Sequence, residues 1–115
     1  MTIIRHEPGK VLSNAVEYGN LVFLAGIVSD KLDGDVRVQA ADILSKIDAL
    51  LAKAGTNKSK ILSANIWLAD MRHREAMNES WLAWMDPKNP PARATVEAKL
   101  ADARMLVEIQ VVAAK

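Results

Sequence analysis

The stretch VRVQAADILSKIDALLAKAGTNKSKILSANIWLA, residues 36–69, decides the fold. Val36, Ala40, Ile43, Leu44, Ile47, Leu50, Leu51 and Ala54 recur at the three- and four-residue spacing that lines one side of an α-helix. Asp33 or Asp35 can accept hydrogen bonds from the free amides of the first turn, and Gly55 can turn left-handed without a Cβ penalty, ending the helix after Lys53. TNKSK is a polar connector, and ILSANIWLA follows as a strand with Ile61, Ala64, Ile66 and Leu68 among its apolar residues. A helix with one apolar side that feeds such a strand buries that side by lying on a sheet.

Upstream, TIIR is β-prone and HEPGK breaks it, so the first strand is expected to end near Arg5. LSNAVEYGNLVFLAGIV reads as two strands around Gly19-Asn20, with Val22, Phe23 and Leu24 forming a continuous apolar run, and DKLDGDV is a polar turn. Downstream, Asp70 can cap a second helix that carries Met77, Trp81, Trp84 and Met85, and DPKNPP stops it. Helical spacing alone accounts for that Met and Trp stripe as core packing. ARATVEAKL and RMLVEIQVVAA make two final strands joined by ADA. The order is β-β-β-α-β-α-β-β, an α+β single domain over residues 1–115 with two helices on one face of a mixed sheet. In the last strand Met105, Val107, Ile109 and Val111 alternate with Leu106, Glu108, Gln110 and Val112, so both sides are largely apolar. The face away from the helices is therefore expected to mediate self-association.

The 115 residues suffice for one genuine core and leave no room for a second domain. Fifteen Lys and Arg against 14 Asp and Glu give a net charge of +1, which excludes recruitment of nucleic acid or anionic lipid by a uniform field. The absence of cysteine excludes disulfides, thiolate nucleophiles and cysteine metal sites. His6 and His73 stand far apart, which disfavours a zinc site or a His-based triad. MTIIRHEPGK has no apolar run of signal-peptide length, so the chain is expected to be cytoplasmic, away from membranes.

Two charges interrupt otherwise apolar strands. Arg93, in NPPARATVE at residues 89–97, lies where a proline turn becomes a strand, and Glu108 stands inside the last strand. A surface arginine needs no special explanation, and a buried carboxylate finds its simplest one in a salt bridge. The functional reading is that Arg93 holds a small carboxylate bidentately while Glu108 handles a proton or positions water, if the two strands pair or meet across a subunit boundary. Gly9, Gly19, Gly26, Gly34 and Gly55 form no phosphate-binding pattern, so nucleotide cofactors have no support. TNKSK and RHR are small basic patches without interleaved aromatics and read as solvated surface.

The ordered set SNAVEYGNLVFLAG, the Gly55-ended helix, NIWLADM, AMNESW, PPARATV and VEIQVVA resembles the Rid family of reactive-intermediate deaminases, also called YjgF-like or RutC-like proteins, over nearly the whole chain. The specific part is P-A-R-x-T/C-V followed by V/I-E-I. The resemblance implies a chorismate-mutase-like fold, a homotrimer whose sheets form a central barrel, and a pocket in each cleft between subunits. It also implies hydrolysis of enamines and imines, such as 2-aminoacrylate and 2-imino acids, to 2-oxo acids and ammonia, with no metal or organic cofactor.

By the same resemblance Arg93 is the carboxylate anchor, the backbone at Thr95 contacts ligand and water, and Glu108 positions or activates the water. Gly26 corresponds to the glycine of the family's S-G-Q turn and Asn78 to the asparagine of its second helix. Two side chains depart from the pattern. Leu12 stands where many members have tyrosine, and Ala25-Gly26-Ile27 replaces S-G-Q, which implies a different preferred substrate or weak activity. The alternative is a trimer that binds small carboxylates as a sensor or regulator without turnover. The ribonuclease, translation-inhibiting or chaperone-like activities credited to some relatives are not favoured by the near-neutral charge.

Overall fold

The computed structural model describes residues 1–115. Its strands are β1 (Ile3–Pro8), β2 (Ser13–Tyr18), β3 (Leu21–Leu24), β4 (Ile27–Val28), β5 (Ile61–Leu68), β6 (Ala92–Glu97) and β7 (Val107–Ala114), and its helices are α1 (Val36–Lys53) and α2 (Arg74–Trp84). The sheet runs in the order β1-β2-β3-β7-β5-β6, and β4 pairs with β7 beyond the end of β3. Only β5 and β6 are parallel. This is the α+β class that the element pattern implies, a mixed sheet with both helices on one face.

Local chemistry explains α1. Asp35 accepts from Val38 N at 3.0 Å, Ala54 closes the last turn, and Gly55 takes φ 78°, the left-handed turn that a side chain would resist. Ile43, Leu44, Ile47 and Leu51 are fully buried against the sheet residues Val22, Ile66, Ile109 and Val111. Each such side chain contributes about 1.5–3 kcal/mol by leaving water. One polar residue joins this core. Gln39 Nε2 donates to the carbonyls of Gly34 and Arg104, and its Oε1 accepts from Leu106 N at 2.9 Å, which fixes the loop leading into β7. Every hydrogen-bonding atom of the buried amide is used, so it costs little to bury.

Four expectations change. LSNAVEYGNLVFLAGIV holds three strands instead of two, because the chain breaks at Ala25-Gly26 and resumes pairing with β7 as β4. β1 continues past Arg5 to Pro8, because it is an edge strand in which the missing proline donor is tolerated, and His6 finds a buried partner in Glu17. Asp70 caps a short 3-10 turn over Met71–His73 instead of α2 itself; that turn runs directly into α2. The last two strands are shorter than their β-prone sequence suggests, and β5 lies between them, so they are not neighbours. No helix is long and apolar enough to cross a membrane.

Alternation sorts the sheet into two faces. Val107, Ile109, Val111 and Ala113 lie under the helices, completely covered, whereas Glu108, Gln110 and Val112 on the opposite face are half-buried. That second face also carries Ile3, Tyr18, Leu21, Phe23 and Val96, all exposed.

Candidate active site

Arg93 is presented by the edge strand β6. Pro90 and Pro91 end the turn after α2, and their fixed φ makes a stiff lead-in to the strand. In the parallel register Arg93 lies opposite Ala64 and Thr95 opposite Ile66. Ala64 and Ile66 are core residues beneath the helices, so Arg93 and Thr95 face the same side, toward α2. The Arg93 guanidinium lies 5.4 Å from the centre of the Trp81 ring. Trp81 is nearly completely buried and also packs against Trp84, with ring centres 5.5 Å apart. The stripe read as core packing is core, and it is also the platform for Arg93.

Arg37, Arg72 and Arg104 are held by Glu79, Asp70 and Asp102, but Arg93 has no carboxylate partner. Burial lowers its pKa from the usual arginine value, and the neighbouring positive charge of Arg74 lowers it further. Trp81 offers the negative face of its ring, which partly offsets that cost. Three polar side-chain atoms are buried without a hydrogen-bond partner: Asn78 Oδ1 on α2, Thr95 Oγ1 on β6 and His73 Nδ1 in the turn before α2. Such atoms cost about 1–3 kcal/mol each if left unpaired. Arg93 and Thr95 thus share one face of β6, and Asn78 stands on the side of α2 that carries Trp81.

Glu108 does not. It pairs in register with Trp67 of β5 and Val28 of β4, on the face opposite Arg93 and two strands away. No Arg93–Glu108 salt bridge exists within the chain, because an intervening strand and the thickness of the sheet keep the charges apart. Strand adjacency depends on long-range pairing, which local sequence does not specify. Glu108 has no hydrogen-bonded or ionic partner and instead lies against Gly26. A Cβ on Gly26 would overlap Oε2 of Glu108 and sit 3.0 Å from its Cδ. Gly26 belongs to the irregular step between β3 and β4, where Gln110 Nε2 donates to the Leu24 carbonyl at 3.2 Å. The glycine therefore makes room for the glutamate.

The surface has separate concavities for these groups. A shallow groove of about 260 Å³ contains Arg93 with Ser63, Ala64 and Asn65, and a cavity of about 380 Å³ contains Gly26 with Glu7, Asn14, Lys46 and Lys53. No cavity of the single chain holds Arg93 and Glu108 together. Sequence reading did not assign Trp81 or Arg74 to the site. The signal was present, since Arg74, Asn78 and Trp81 stand at i, i+4 and i+7 on one side of α2.

An open mixed sheet with two helices on one face, an unpaired arginine on its edge strand and a carboxylate seated on a glycine step define a small α+β protein of the YjgF type. Residues 4–115 match the family described as Endoribonuclease L-PSP. The chain is 46% identical over 114 residues to a RutC family protein of Haemophilus influenzae, covering 98% of each. It is 43% identical over 114 residues to the RutC family protein YoaB of Escherichia coli K12, covering 99% of each. Among solved structures it is similar to NMB1025 of Neisseria meningitidis, a member of the YjgF protein family, with a TM-score of 0.97 and 40% identity over 100% of this chain and 96% of that one. The chain belongs to the RutC/YjgF family.

Proposed function

We propose that the protein hydrolyses reactive enamines and 2-imino acids to 2-oxo acids and ammonia, in a pocket completed by a second copy of the chain in a homotrimer. The observation that carries this reading is the half-buried, desolvated Arg93 guanidinium, stacked on Trp81 and without a carboxylate in its own chain. A planar, permanently charged fork in that state is matched to a small carboxylate. The apolar residues on the uncovered sheet face support association, and the separation of Arg93 from Glu108 supports a site shared between subunits.

Arg93 anchors the substrate carboxylate beside the C=N carbon, and the Thr95 backbone and Asn78 orient the rest of the molecule. An enamine first takes a proton on carbon and releases one from nitrogen, which leaves the imine. Water held by Glu108 of a neighbouring subunit then adds to the imine carbon: a C–O bond forms, one water proton passes to Glu108, and Glu108 returns it to the nitrogen, giving the neutral carbinolamine. As the carbinolamine collapses, Glu108 takes the hydroxyl proton and passes it to the departing nitrogen, the C–N bond breaks, ammonia leaves, and the hydroxyl oxygen becomes the ketone of the 2-oxo acid. Imines are intrinsically reactive toward water, so orientation of the two reactants supplies most of the acceleration.

The test generates 2-iminopropanoate or 2-iminobutanoate with an amino-acid oxidase and traps the remaining imine with semicarbazide. Wild-type protein should shorten the imine lifetime and Arg93→Ala should not. Equal acceleration by the alanine variant would refute the anchor. Slow decay with both, together with tight binding of the corresponding 2-oxo acid, would favour a carboxylate-binding regulator instead.

A further inference from the structure

Arg74 is the cation that the proposed reaction does not use. It opens α2, where the helix dipole presents positive charge and disfavours a cation. Two residues earlier Arg72 is neutralised by Asp70, with Nη2 2.6 Å from Oδ2, whereas Arg74 has no carboxylate partner. Its helical spacing to Trp81, whose ring centre lies 5.4 Å from the Arg93 guanidinium, puts it on the side of α2 that faces Arg93. Two guanidinium groups without carboxylate partners thus stand on facing elements, with the unpartnered Asn78 Oδ1 on the same side of α2 as Arg74 and Thr95 Oγ1 on the same face of β6 as Arg93. The mutual repulsion reaches Arg93 itself, whose acidity rises through the Arg74 charge.

We propose that Arg74 is a second anion-binding group of the Arg93 site, and that the site selects 2-imino acids whose side chain ends in another carboxylate. Arg93 takes the α-carboxylate and Arg74 the distal one. The doubly charged ligand then removes the repulsion between the two arginines and compensates the cation at the start of α2. The inference rests on the hydrolase reading for its substrate, but the pairing of two arginines with a dianion stands on binding alone.

The experiment uses the full chain, wild type, Arg74→Gln and Arg93→Ala. Isothermal titration calorimetry compares 2-oxoglutarate with 2-oxobutyrate, and thermal melting checks each fold. Wild-type protein should bind 2-oxoglutarate about tenfold or more tightly than 2-oxobutyrate, and Arg74→Gln should collapse that ratio toward one. Equal affinities in the wild type, or an unchanged ratio in Arg74→Gln, would overturn the inference. The imine assay, run in parallel with 2-iminoglutarate and 2-iminobutanoate, separates the two readings. If 2-oxoglutarate is preferred through Arg74 but no imine decays faster, the dianion site stands and the hydrolase reading fails. If 2-iminobutanoate decays faster but Arg74→Gln keeps the wild-type ratio for both pairs, the hydrolase stands and the second site fails.

Discussion

The Glu108 carboxylate occupies the space where a side chain at Gly26 would be. A Cβ there would overlap Oε2 of the glutamate, while the backbone at Gly26 needs no positive φ. Glycine is required by its neighbour's position and not by its own conformation.

Replacement of Gly26 by alanine should therefore spare the fold and disturb the site. The obstructing atoms are the free end of a flexible side chain, so the melting temperature should fall by no more than about 4 °C. Imine decay promoted by the variant should slow about tenfold or more, because Glu108 is turned away from its water. Parallel melting and semicarbazide-trapping measurements check both statements.

Arg93→Met is expected to separate function from stability. A structural salt bridge would make the substitution destabilising, but Arg93 has no carboxylate partner in its own chain and is partly desolvated beside Arg74. The melting temperature should stay equal or rise, while kcat/KM for 2-iminobutanoate drops about a hundredfold with the loss of charged hydrogen bonds.

Acid sensitivity should trace partly to Glu17. This carboxylate is only 6% exposed and accepts from His6 Nε2 and Lys115 Nζ, each at 2.5 Å. Hydrogen bonding to Lys115, then to His6, lowers its pKa from the usual 4.5. A lowered folded value means the stabilisation is fully present above about 4.5 and is lost as the pH falls through the lower folded value. Urea unfolding at pH 7, 5, 4 and 3 should show a shallower loss of stability for Glu17→Gln than for wild type across the acid range.

The uncovered sheet face should control assembly. Phe23 is 41% exposed there, beside Leu21 and Tyr18. Phe23→Glu should convert a trimer to monomers in light scattering and abolish imine hydrolysis, with the secondary structure retained by circular dichroism.

Local features of the chain were legible and long-range pairing was not. The α1 boundaries follow from Asp35, Gly55 and an apolar stripe, all within one segment, and these same residues form the caps and core contacts observed. The end of β1 was misplaced because a proline is tolerated on an edge strand, and being at an edge is a property of the whole sheet. Arg93 and Glu108 stood out as charges in apolar strands, but the insertion of β5 between β6 and β7 puts them on opposite faces. Trp81 and Arg74 were visible as helical neighbours of Asn78, yet their relation to Arg93 arises only when α2 lies beside β6.

The central claim is that Arg93 of one subunit works with Glu108 of the next. Arg93→Ala and Glu108→Gln, each expected to be inactive alone, are unfolded together in equal amounts and refolded into mixed trimers. A site is intact when its arginine comes from a Glu108→Gln chain and its glutamate from an Arg93→Ala chain, so random assembly should restore about one quarter of the wild-type imine hydrolysis. Mixed trimers that stay as inactive as the parent variants would contradict a shared site.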